Sequence, residues 1–152
     1  MRPHPIDPDT IDRLRKLVAA MYGGRNELYA AAGQLSNEDL AAICQSLADD
    51  LAGDTAYLEQ IIVSNGRQPG FDEAVTSALC EQIMKLFRER GGDEGIVSKA
   101  KQAQCELRQV VDETIGATCD PEVQWLLDQQ RRHVDFAERV LRQAARAARQ
   151  GP

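Results

Sequence analysis

Apolar residues return every three or four positions through most of the chain, and the places where that beat stops mark out helices. Asp9 and Thr10 can cap a first helix, in which Ile11, Leu14, Val18, Met21, Leu28 and Leu35 follow at such steps with turns skipped. Gly33 is expected to end it, and Ser36 to cap a second, with Asp39 three residues on as a short capping-box analogue. The second helix reads Leu40, Cys44, Leu47, Leu51, Leu58 and Ile61 and halts at "SNGRQPG", where Asn65, Gly66, Pro69 and Gly70 all disfavour continuation. A third segment places Val75, Leu79, Ile83 and Leu86 or Phe87 inward and stops at Gly91 and Gly92. Asp93 can then cap a fourth, from Glu94, carrying Ile96, Ala100, Ala103, Leu107, Val110 and Thr114. "GATCDP" turns the chain into the last helix, with Pro121 at its first position and Val123, Leu126, Val134, Ala137, Leu141 and Ala144 inward. No useful stretch alternates with period two, so no sheet is expected.

Two helical hairpins with short turns, joined by a partly helical connection of roughly thirty residues, predict an all-α four-helix bundle with a crossover. Residues 1–8 would be a tail, 9–146 the bundle and 147–152 a second tail. The stretch "LFRERGGDEGIVSKAKQAQCEL" followed by "PEVQWLLDQQRRH" resembles a bacterial ferritin-like four-helix-bundle family of unknown function, over about Leu14 to Gln143. Its markers are the double glycine with its acidic cap and the Pro-Glu-Val start of the last helix. The resemblance implies a ferritin-like fold more than an activity.

That resemblance raises the question of a metal. A carboxylate-bridged di-iron bundle takes one Glu from each of two helices and Glu-x-x-His from each of the other two. No Glu-x-x-His occurs here: His4 lies in the N-terminal tail, and Gln130 stands three residues before His133. Counting ~1.5 Å per residue from each hairpin turn places Asn26, Glu27, Gln45, Gln104, Glu106, Gln130 and His133 in one central layer, with Arg25 close by. In the resembling family acidic residues often hold inward positions that align near Asn26 and Gln104, so amides replace carboxylates here. Amides bring no charge to a metal, and Arg25 would set a fixed cation beside it. A site for iron, manganese or zinc would have to use Glu27, Glu106 and His133. The competing reading is a hydrogen-bonded polar layer, with His133 held by Glu106 and no cofactor favoured.

Net charge is −6, which argues against a nucleic-acid binder. There is no apolar leader and no run of about 18 apolar residues, so a cytoplasmic chain without membrane partners is expected. Cys44, Cys80, Cys105 and Cys119 are 36, 25 and 14 residues apart, which is neither zinc-knuckle nor redox-pair spacing. Asp54 falls on a seam but reads as an edge or solvent-facing residue, and no serine has a histidine partner suggested by position. Arg139, Arg142, Arg146 and Arg149 form a basic stripe, and residues 131–152 carry +4 against −10 elsewhere. The glycine pair in "GGRNELY" costs about 1 kcal/mol per residue relative to alanine, which points to close helix approach or a kink. The first functional expectation is a non-enzymatic interaction or stress-associated bundle that self-associates. The alternative is a divalent-metal protein with oxidoreductase or storage chemistry.

Overall fold

In the computed structural model residues 6–68 and 73–150 are described, with side chains from Thr76 onward in the second stretch. His4, the helix breakers Pro69 and Gly70, and the inward placing of Val75 lie outside the described residues. The chain folds into α1 (Pro8–Gln34), α2 (Glu38–Ser64), α3 (Glu73–Ala117) and α4 (Pro121–Gln150), an all-α four-helix bundle with no strand among the described residues. No helix among them is long and apolar enough to cross a membrane.

The helix ends show how local chemistry sets these boundaries. Asp7 caps α1 by accepting from the backbone N–H groups of Asp9 and Thr10, two residues before the expected start. Pro8, which has no N–H to satisfy, sits in the first turn. The helix continues through Gly33. Asn37, not Ser36, caps α2, accepting from the N–H groups of Asp39 and Leu40. Asp120 does the same for α4 through Glu122 and Val123, with Pro121 at the first position as expected.

α3 is two helical segments that meet at Gly92, where the sequence expects the third to stop and the fourth to begin; the φ of 61° and ψ of −148° there suit only glycine. Asp93 stands where a cap for the second segment is expected. Its carboxylate instead reaches the α1–α2 turn, where it accepts from the backbone N–H and hydroxyl of Ser36 at 2.9 Å each and from the N–H of Asn37 at 3.0 Å.

Cross-helix pairs give the topology. Asp93 lies at the α1–α2 turn, Lys99 is 3.8 Å from Glu27, and Gly24 faces Gln104 and Leu107, so the second half of α3 runs antiparallel to α1. Arg149 with Glu94, Arg108 with Glu138 and Arg131 with Asp112 run α4 antiparallel to that half. The order is thus up, down, down, up. The first half of α3, residues 73–91, is the arm that returns the chain along the bundle. It leans on the α1–α3 seam: Arg88 donates to Gln34 at 3.4 Å, and the Cys80 thiol senses Glu27 and Lys99.

The core is aliphatic. Leu14, Leu17, Met21 and Leu28 from α1, Leu58 and Ile62 from α2, Ile96 and Val111 from α3, and Leu127 and Leu141 from α4 are essentially unexposed. Each such side chain contributes roughly 1.5–3 kcal/mol by leaving water. In three helices the inward residue is the neighbour of the expected one: Ile62 in place of Ile61, Val111 in place of Val110, Leu127 in place of Leu126. The larger departure is on the crossover arm. Leu79 and Leu86, expected inward, are 55% and 51% exposed, and Cys80 and Met84 are buried instead.

Candidate functional site

Asn26 from α1, Gln104 from α3 and Gln130 from α4 are all buried, as expected, but not at one height: the Arg131–Asp112 pair sets Gln130 about two helical turns along α3 from Gln104. Asn26 Oδ1 accepts from Arg25 Nη2 at 3.0 Å, and Gln130 Nε2 donates to the Asp54 carbonyl at 3.3 Å. Asn26 Nδ2, Gln104 Nε2 and Gln130 Oε1 have no hydrogen-bond partner among the described residues. Arg25 is close by, as expected, and its guanidinium also lies over the Tyr22 ring, 4.4 Å from the centroid. Gln45 is exposed and bonds to Asp49.

The three candidate metal ligands belong to different surroundings. Glu27 is mostly buried beside Lys99. Burial pushes its carboxyl up, Lys99 pulls it down and Glu106 adds to the rise. Glu106 is exposed and accepts from Gln102. His133 lies across the bundle, where its Nδ1 is 2.8 Å from Asp54 Oδ2. The partner of His133 is therefore Asp54 and not Glu106. Asp54, expected at an edge, has a side chain only 20% exposed and closes this pair. Among the described residues no three His, Cys, Asp or Glu side chains converge closely enough to hold a metal ion. One carboxylate shared with a lysine and buried amides do not fit a di-metal centre.

The α2–α4 seam is the open one. These two helices touch only sparsely, whereas α1 packs closely on α2 and α3, and α3 on α4. A cavity of about 340 Å³ opens between them, walled by Leu47, Leu51, Val134 and Ala137, with Gln104 also lining it and Asp50, Asp54, His133 and Phe136 completing it. Asp54 and His133 are thus at a cavity as well as at a pair. In that pair the Asp54 carboxylate can accept from Nδ1–H of His133 and orient the ring. Among the described residues no serine, threonine, cysteine or lysine lines the cavity.

Two further features escaped the sequence. Glu138 is a buried carboxylate held between Arg108 at 2.7 Å and Arg142 at 3.1 Å. The i,i+4 spacing to Arg142 was its only sequence signal. The outward stripe of the crossover arm is the second. Cys44 and Cys80 are buried with thiols pushed up to about 11 by burial, and Cys119 is exposed. Against known protein families, curated proteins and solved structures, the chain shows no match.

Proposed function

We propose that this chain is a non-enzymatic, ferritin-like interaction module that self-associates through the outer face of its crossover arm. The observation that carries this reading is the stripe Leu79, Ile83 and Leu86, at steps of four and three, with Leu79 and Leu86 more than half exposed and Phe87 beside them. Apolar side chains clustered on one exposed helix face favour a protein partner. Charge along the arm favours a second copy set antiparallel. From Thr76 to Gln82 it carries Glu81 and no base, and from Ile83 to Gly91 it carries Lys85, Arg88 and Arg90 against Glu89. Two such arms related by a two-fold axis set the acidic half of each on the basic half of the other. The up, down, down, up order supports the ferritin-like part of the reading, since that order needs a crossover.

Sedimentation of the natural chain at about 100 µM should report a dimer, and Leu79→Glu with Leu86→Glu should yield a folded monomer. A natural chain that stays monomeric at that concentration, or a dimer indifferent to both changes, would overturn the reading.

A further inference from the structure

The α2–α4 cavity carries three features that a closed seam would not need. Its walls are apolar, from Leu47 and Leu51 on α2 and Val134 and Ala137 on α4. Gln104, 1% exposed, lines it, although its amide nitrogen, which finds no acceptor among the described residues, lies against Gly24 of α1. Asp50 and Asp54, one helical turn apart on α2, line it as well, and no lysine or arginine is among its lining residues.

The charge decides the class of ligand. His133 engages Oδ2 of Asp54, which leaves Oδ1 of Asp54 and the exposed Asp50 carboxylate to face an incoming group. Two carboxylates repel an anion and attract a cation. Phe136, 53% exposed at the same cavity, offers a ring face that also favours a cation. A bare metal ion fits less well, because no three ligating side chains converge and the apolar walls would go unused.

We propose that this cavity binds a small organic ammonium ion with a compact apolar body. The ammonium group sits at Asp50 and Asp54, and the body lies between Leu51 and Val134. A volume of about 340 Å³ accommodates a single-ring molecule.

Tyramine is the probe, because it has a primary ammonium group, one ring and a phenol oxygen. Its neutral analogue para-ethylphenol lacks the ammonium group, and para-hydroxyphenylpropionate carries a carboxylate in its place. Calorimetry should show saturable tyramine binding with Kd of about 0.1–1 mM, at least about tenfold weaker binding of para-ethylphenol and none of the propionate. Asp50→Asn with Asp54→Asn should weaken tyramine about tenfold, and Ala137→Phe should abolish its binding by filling the cavity. Asp50 is exposed, so Asp50→Asn alone, with an unchanged helical spectrum, keeps the test readable if a buried change disturbs the fold. No saturation by about 10 mM tyramine, equal affinity for para-ethylphenol, or a Kd unmoved by the aspartate changes would each overturn the assignment.

Discussion

Gly23 and Gly24 stand side by side in α1, and their neighbours give them different roles. A Cβ at Gly24 would stand 3.3 Å from both Gln104 Nε2 and Leu107 Cδ2, whereas one at Gly23 would meet nothing within 4 Å. Alanine is favoured over glycine inside a helix by about 1 kcal/mol. Gly23→Ala should therefore raise the unfolding free energy from urea titration by roughly that amount. Gly24→Ala should gain less or lose stability, because two packed side chains must give way; equal gains for both would remove the close-approach explanation. Glu27 offers a second check at this scale. Burial raises its folded carboxyl above the ordinary 4.5, so the folded state holds a proton that the unfolded chain releases. Its contribution is most favourable at low pH and declines as pH rises from the unfolded value through the folded one. The acid-side stability curve should flatten over that window in Glu27→Gln. The burial of Asn26, Gln104 and Gln130 was legible in the sequence, because helical spacing pointed each inward, but their heights were not, since Arg131 pairs with Asp112 and sets Gln130 about two turns from Gln104. The partner of His133 was not legible either. Height along a helix does not say to which neighbouring seam a side chain turns, and Asp54 and Glu106 lie on different seams.

At the scale of elements, α3 holds most of what spacing left undecided. Steps of three and four show which residues share a face, but not which way that face points. The arm before Gly92 rests on α1 through Cys80 and Met84, so its longer apolar stripe looks outward. Gly92 is the joint between arm and bundle. At φ of 61° and ψ of −148° any side chain is strained, and Gly92→Ala should cost about 1–3 kcal/mol in urea unfolding. Its neighbour Asp93 ties this joint to the α1–α2 turn. Burial pushes the Asp93 carboxyl up, but hydrogen bonds from Ser36 and Asn37 outweigh it and hold the group below its ordinary 3.8. The stability it contributes is complete above the unfolded value and is lost as pH falls through the folded one. Asp93→Ala should cost about 1–2 kcal/mol at neutral pH through lost hydrogen bonds, and should shed the part of acid unfolding due to this group. A variant as stable as the natural chain at neutral pH would mean that the turn holds without this tie.

Across the whole molecule, the crossover arm leans on the α1–α3 seam while the opposite seam, α2–α4, stays open over Gln104. The bundle order followed from turn lengths in the sequence, but the open seam did not, since α2 and α4 carry regular apolar stripes whether or not they close on each other. What keeps so polar a centre in an aliphatic core is a question of specificity. Asn26, Gln104 and Gln130 each leave one polar atom unpartnered among the described residues, so these amides contribute little net stability. They can still fix how the helices register, because a sliding helix would carry an amide into the aliphatic layers above or below. Replacing all three amides by leucine should then raise unfolding stability by about 1–3 kcal/mol while admitting more than one packing. Amide proton NMR would read the second effect as broadened or doubled signals from α1, α3 and α4. A triple variant that is less stable and keeps one sharp set of signals would show that the amides are satisfied in solution, with register set by the surrounding leucines.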